Sequence, residues 1–313
     1  MRRVLRGLRR MGVLGLNARN CRYIAEHNPR RLYPLVDDKL LTKRLAAEAG
    51  MAVPELYGVV RIQREVKELG ALLAPYDDFV IKPAHGSGGN GILVAAGRQS
   101  GRFRTAGGAL VELRDVQHYV SNIVSGAYSL GGHPDAAMIE YCVQFDPVFE
   151  KICHQGVPDV RIIVHLGFPV MAMVRLPTRV SDGKANLHQG AIGAGVCLRD
   201  GRTLTAVWRD EIVTEHPDTG HPVGGVEIPH WPELLRLAAR CYELTGLGYL
   251  GVDLVLDRHR GPLILELNAR PGLAVQIANQ AGLEPRLRAA QIVHRDGVPI
   301  DERVEWARDA FYG

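Results

Sequence analysis

Long apolar runs are missing from this chain. None approaches the roughly 20 residues that a bilayer-spanning helix requires, so no transmembrane segment is expected. Cysteine is sparse: Cys21, Cys142, Cys153, Cys197 and Cys241 are scattered, with no C-x-x-C. An odd count without metal spacing argues for buried thiols in a reducing, cytoplasmic compartment. The twelve histidines include no H-E-x-x-H, so a zinc hydrolase of that kind is not expected. A basic stripe interleaved with aromatics is also absent, which leaves nucleic-acid binding by the main body without support. No internal repeat or low-complexity tract is present.

What is present fits an ordinary globular protein. Apolar residues make up 46% of the chain, enough for one large domain or two lobes sharing a cleft. The net charge, +4, is mild, and part of it lies in the opening MRRVLRGLRRM. That segment is basic and weakly amphipathic but lacks the apolar core and cleavage site of a signal peptide. A solvated first helix is the plainer reading. Contact with acidic lipid, nucleic acid or a protein partner is the functional one.

Along the chain, residues 12–36 read as an arm broken at Asn28-Pro29 and Tyr33-Pro34. Residues 37–50 carry a helical apolar pattern that opens on acids and closes on Gly50. An extended segment through Val60 and a helix at about 64–73 follow. A strand then ends at Lys82, and Pro83-Ala84-His85 leads into the loop Gly86-Ser87-Gly88-Gly89-Asn90-Gly91. Glycines let backbone N–H groups approach an anion, and the lysine adds a point charge. The pattern is not a P-loop, because the lysine precedes the glycines and a strand follows them. It reads as a phosphate cradle rather than a flexible hairpin tip. A hairpin over 101–113, a helix over 114–125 and a glycine-rich break over 126–135 come next.

The second half is rich in strands. Residues 137–143, 159–165 and 170–176 fit strands, and Arg161 and Arg175 are charges within two of them. Facing inward they would hold a carboxylate or a transferring phosphoryl group; facing outward they are solvent-exposed. Residues 181–195 form a polar glycine-rich loop that reads as a mobile flap, and 202–228 as irregular short strands. A helix over 231–245 precedes two β-prone runs separated by Gly261-Pro262, an antiparallel hairpin. Helices at about 283–292 and 300–309 close the chain. Strand alternation puts Glu266 and Asn268 on one face, and Asp253 on the neighbouring strand can be aimed at the same point. Two carboxylates and an amide carbonyl make a hard oxygen site suited to Mg²⁺.

The order of these motifs resembles the ATP-grasp superfamily over residues 37–280. The closest likeness is to the RimK-like α-L-glutamate ligases, and within them the α-L-glutamate-ligase-related proteins, through Asn186-Leu187-His188-Gln189-Gly190 and Glu266-Leu267-Asn268-Ala269-Arg270-Pro271-Gly272. The resemblance implies an α+β fold of two lobes with antiparallel sheets gripping ATP. It implies phosphate contacts from Lys39, Lys82 and the loop residues Gly86, Ser87, Gly88 and Gly89. It places Glu140 at the adenine, Tyr141, Cys142 and Val143 at the hinge backbone, Asp159 at the ribose, and Lys184 and Asn186 near phosphates and metal. Asp253, Glu266 and Asn268 match the ligands of Mg²⁺, two ions, replaceable by Mn²⁺. Arg161, Arg175 and Arg270 are candidates for holding substrate or an acyl phosphate. His188 serves either as a base for an amine or in a structural hydrogen bond.

The expected organisation is a basic arm over 1–36, an N-terminal lobe over 37–135, a metal-bearing lobe over 136–285 and terminal helices over 286–313. Members often carry a separate substrate domain ahead of the ATP lobes; here it is missing or reduced to the arm. The segment 144–158 reads as an insertion. The implied reaction is carboxylate–amine ligation through an acyl phosphate, on a small-molecule or peptide acid and an amine, in a chain free to form homo-oligomers. A phosphotransferase and a non-catalytic nucleotide-binding partner of a larger assembly are the alternatives.

Overall fold

The computed structural model describes residues 7, 8, 10–86 and 89–311. Of the predicted phosphate loop, Ser87 and Gly88 lie outside the described residues, as do residues 1–6 and 9 of the basic segment. The architecture is α+β. The chain forms two compact units, one of Asp38–Lys43 with Val53–Val143, the other holding the remainder.

The smaller unit is built on a six-stranded antiparallel sheet. Its strands are β1 (Leu56–Val60), β2 (Asp78–Pro83), β3 (Leu93–Gln99), β4 (Arg102–Thr105), β5 (Leu110–Val111) and β6 (Ala137–Glu140), in the order β1-β6-β2-β3-β4-β5. Helix α1 (Lys39–Glu48) begins in this unit, and α2 (Leu113–Val124) packs against β2 and β6. Helix α2 starts where the Asp115 carboxylate accepts the Glu112 N–H at 2.8 Å. It buries Val116, Val120, Ile123 and Val124, one stripe at helical spacing. That stripe joins Phe79, Ile81, Phe103 and Ile139 in the core. The change of unit falls at Val143, not in the 126–135 break, because β6 is hydrogen-bonded on both sides within this sheet.

The larger unit carries a seven-stranded antiparallel sheet. Its strands are β7 (Asp159–His165), β8 (Phe168–Leu176), β9 (Ile192–Val196), β10 (Thr203–Trp208), β11 (Glu211–Val213), β12 (Tyr249–Asp257) and β13 (Gly261–Asn268), ordered β11-β10-β9-β8-β7-β12-β13. Helix α3 (Trp231–Thr245) packs across β7, β8, β12 and β13. Gly246, at φ 67, ends it by donating to the Tyr242 carbonyl at 2.7 Å. Every residue of β12 is buried, as expected for a central strand covered on both faces. Helices α4 (Glu284–Val293) and α5 (Ile300–Ala310) pack on β8.

The segment read as an arm is stitched into this unit rather than extended from it. It folds into short helical turns from Leu16 to Asp37 and buries Tyr23 and Ile24. Asn28 uses both ends of its amide. It donates to the Tyr249 carbonyl at 2.8 Å and the Ala269 carbonyl at 3.0 Å, and accepts from the Tyr249 N–H at 2.9 Å. Arg19 donates to the Pro271 carbonyl at 2.6 Å. The predicted insertion folds as a helical turn over Pro147–Ile152, capped by the Asp146 carboxylate and anchored by Phe149 and Ile152.

Candidate active site

In the smaller unit three lysines from two elements are anchored by polar contacts, two of them on one glutamate. Asp38 starts α1 by accepting the N–H groups of Leu40 and Leu41 at 2.9 and 3.1 Å, which leaves Lys39 and Lys43 one turn apart on the helix. The Lys39 ammonium donates to the Gly86 carbonyl, at the start of the glycine loop. The Lys43 ammonium donates to the Pro54 carbonyl and lies 2.7 Å from one Glu140 oxygen. Lys82, near the end of β2, lies 2.5 Å from the other. The β2–β6 register pairs Val80 with Glu140 and Lys82 with Met138, so Lys82 and Glu140 are diagonal neighbours on one face.

All three charged groups are buried, at 8% exposure for Lys43, 6% for Lys82 and 2% for Glu140. Burial alone would raise the Glu140 carboxyl, but the Lys82 and Lys43 ammoniums outweigh it and hold its pKa down. Burial lowers Lys43 to about 8; Glu140 opposes that shift and the Lys82 charge adds to it. Glu140, expected at an adenine, is therefore engaged by two lysines. Lys43 was not among the candidate residues; only its spacing of four from Lys39 in the sequence could have raised it. Past β2, the buried Asp135 accepts the His85 N–H at 3.1 and 3.2 Å and meets its Nδ1 at 2.8 Å. Both contacts fix the backbone where the glycine loop departs. After β6, the Tyr141 N–H donates to the Glu55 carbonyl at 2.9 Å, Cys142 is buried, and Tyr141 and Val143 are half-buried.

In the larger unit, Asp253 stands directly opposite Arg161 on β7 and Glu266 on β13, and Gly251 opposite Asn268. Asp159 stands opposite Arg175 on β8. The even spacing of Asp159 and Arg161 puts these side chains on one face. Arg161 grips Asp253 with two parallel hydrogen bonds, Nε to Oδ1 and Nη2 to Oδ2, both 2.7 Å. Arg175 holds Asp159 in the same two-pronged way, Nε to Oδ1 at 2.5 Å, and reaches Asp253 Oδ2 with Nη2 at 2.8 Å. Asn268 Nδ2 donates to Asp253 Oδ2 at 3.3 Å.

Both arginines therefore face inward, and each has a carboxylate partner. Burial would raise the Asp253 carboxyl, but Arg161 and Arg175 overcome it and bring it down to about 2. Burial pushes Asp159 up to about 6, against Arg175 and with the help of the nearby Asp253 charge. Asp159 thus has Arg175 as its partner.

This donor set fits a hard divalent cation. Asp253 stays ionised at neutral pH, and among the described residues its Oδ1 accepts one hydrogen bond, from Arg161 Nε. Asn268 donates through nitrogen, which leaves its carbonyl oxygen chemically able to bind a cation. Among the described residues no group of three or more His, Cys, Asp and Glu has metal-binding geometry. A cation held here would have two carboxylates and an amide as its protein ligands, a small set of the kind Mg²⁺ accepts.

The loop expected as a flap is pinned near its base. Thr178 Oγ1 and Trp208 Nε1 both donate to the Gly190 carbonyl, at 2.8 and 2.9 Å. Gly156, at φ +71, lets its backbone meet Gly183 so closely that a Cβ would stand 1.8 Å from the Gly183 carbonyl oxygen. Lys184 and Asn186 are half-buried, and Asn186 Oδ1 accepts the His188 N–H at 3.1 Å. His188 is exposed. Arg270 is exposed and lies over the Tyr33 ring at 5.3 Å.

Compared with known proteins, residues 18–292 match the family described as sugar-transfer associated ATP-grasp. The chain belongs to that family. The ATP-grasp likeness read from the motif order is thereby borne out. Among curated proteins, the ribosomal protein bS6–L-glutamate ligases of Salmonella paratyphi B and Salmonella newport are each 24% identical over 264 residues, 84% of this chain. The match spans 65% of the length of those relatives, less than two thirds. Among solved structures, the ATP-grasp ligase PsnB complexed with a minimal precursor matches at TM-score 0.46 and 16% identity, over 85% of this chain and 63% of that one. The D-cycloserine synthetase DcsG matches at TM-score 0.46 and 16% identity, over 88% and 73%. Within this ATP-grasp chain, motif reading passed over Lys43, Asp135, Arg19 and Asn28. Each acts through a partner distant in sequence, and apart from the spacing of Lys43 from Lys39 no local pattern marks them. No helix among the described residues is long and apolar enough to cross a membrane.

Proposed function

We propose that this chain is an ATP- and Mg²⁺-dependent carboxylate–amine ligase. The observation that carries the reading is the row across β7, β12 and β13: two carboxylates, Asp253 and Glu266, directly opposed on paired strands, with Arg161 beside them. Arg161 and Arg175 hold Asp253 ionised and in place, and carboxylates opposed in this way can share a cation. Asp253, Glu266 and Asn268 would hold Mg²⁺, or Mn²⁺ in its place. When bound, the ion supplies charge neutralisation for the phosphates. Lys39, Lys82 and the glycine loop from Gly86 would hold phosphates, and the backbone of Tyr141–Val143 the base. Lys184 and Asn186 would serve the phosphates from the pinned loop, and Arg270 an acidic substrate.

A carboxylate oxygen of the acid attacks the γ-phosphorus, and the bond to the β-phosphate oxygen breaks, giving an acyl phosphate and ADP. An amine then attacks the acyl carbon, phosphate leaves, and an amide forms with loss of a proton from nitrogen. Such transfer depends on alignment and charge, which arginine and lysine side chains supply without a covalent nucleophile. The acid and amine are drawn from the class used by the glutamate ligases, glutamate or another amino acid. Amino sugars and sugar acids join the panel because of the family's sugar-transfer description. Incubation with ATP, Mg²⁺ and the acid panel in hydroxylamine tests the reading. A ligase yields ADP and a hydroxamate; ADP without hydroxamate, in the presence of an acceptor alcohol, moves the activity to phosphotransfer.

A further inference from the structure

The Lys43–Glu140–Lys82 group carries two positive charges against one negative, with each residue less than a tenth exposed. A buried cluster of net positive charge is a place for an anion. The two ammoniums do not share an oxygen: Lys43 is on one Glu140 oxygen at 2.7 Å and Lys82 on the other at 2.5 Å. Among the described residues Lys82 pairs with Glu140, and an ammonium has three N–H groups, so it can also turn to another acceptor. Lys43 has a further anchor in the Pro54 carbonyl.

Consider the cluster without Lys43. Glu140 and Lys82 would form a single buried pair. A phosphate drawing Lys82 away would leave a buried carboxylate without a counter-ion, which costs several kcal/mol. With Lys43 present, Glu140 keeps a partner whichever way Lys82 turns. We propose that Lys43 is a positioning residue that acts as the standing counter-ion of Glu140, so that Lys82 is free to turn to the phosphates of the nucleotide. This rests on the ATP-binding reading above and adds to it a residue outside the expected phosphate set.

The role depends on the Lys43 proton. The charged groups facing its ammonium are Glu140 on β6 and Lys82 on β2, and the Pro54 carbonyl faces it from the segment before β1. Burial brings Lys43 down to about 8, so its proton leaves in the mildly alkaline range.

The test is calorimetric titration of the full chain with the non-hydrolysable analogue AMPPNP and Mg²⁺, from pH 7 to 9. Wild type, Lys43→Met and Lys43→Arg are compared, and thermal melts are run on each. Wild type should weaken as pH rises through this window. Lys43→Met should bind roughly tenfold more weakly at pH 7, with a flat profile. Lys43→Arg, charged throughout, should hold its affinity to pH 9. A folded Lys43→Met that matches wild type in affinity and profile overturns the proposal while leaving ATP binding intact. Should Lys43→Met fail to fold, a wild-type profile that is flat, or one that Lys43→Arg reproduces, overturns it equally. Wild type that binds no AMPPNP at any pH overturns the nucleotide reading itself.

Discussion

Each unit buries one cluster of alternating charge, and the two are built differently. In the smaller unit two lysines meet one glutamate through single contacts. In the larger, two arginines meet two aspartates through paired, parallel hydrogen bonds. An ammonium is a point charge on a flexible stem and changes partners readily. A guanidinium is a planar fork that fixes direction as well as charge. The lysine cluster is suited to handing a cation to an arriving anion. The arginine cluster is suited to holding a carboxylate still while another ion joins it.

The largest expected effect tests what the arginine cluster serves. Glu266→Gln should lower Mg²⁺-dependent ADP release about 100-fold or more, since one ligand charge is gone. Its half-buried position should keep the melting temperature near that of wild type. Wild-type turnover in this variant would remove the cation from the larger unit. Asp253→Asn breaks the comparison at its centre. Arg161 and Arg175 would lose a buried anion that is 1% exposed, and stability by urea titration should fall by about 3–5 kcal/mol. A loss under about 1 kcal/mol would mean that the arginines do not depend on it.

Arg175→Lys asks whether the fork itself matters. Replacing the paired contact to Asp159 by a single one should cost about 1–2 kcal/mol although the charge is conserved. An unchanged urea midpoint would erase the distinction drawn between the clusters.

The smallest effects are in pH. The Asp253 carboxyl is held below its unfolded value, so its contribution is present at neutral pH and is lost as pH falls from about 4 toward about 2. Lys43 has the same relation in an alkaline window, because its folded value also lies below its unfolded one. The unfolded chain then binds more protons between about 8 and 10.5, and stability should rise with pH across that window. Melting curves of wild type minus Lys43→Met should isolate the alkaline limb, and wild type minus Asp253→Asn the acid limb. An alkaline difference of the wrong sign would mean that Lys43 is stabilised, not strained, by its burial.

Much of the fold was legible because its signals are local. The helix over 231–245 has a clean apolar stripe and a glycine stop, and the hairpin of β12 and β13 has two β-prone runs around a turn. The alternation that put Glu266 and Asn268 on one face holds, with Asp253 in register opposite Glu266. The arm was less legible. Its short turns take their order from Asn28 and Arg19, whose partners lie more than two hundred residues away. Residues 126–135 looked like a boundary because glycine and proline mark turns, but a turn inside a unit looks the same in sequence as one between units.

The sequence by itself determined the strand faces, the helix stops and the succession of charged motifs that marks an ATP-grasp chain, because alternation and capping are properties of neighbours. Tertiary structure alone decided the pairing: that Glu140 takes both Lys43 and Lys82, and that Arg161 and Arg175 turn inward onto carboxylates. Charge pairing is set by distance in space, and the helix and two strands that bring Lys43, Lys82 and Glu140 together come from three separate stretches of chain.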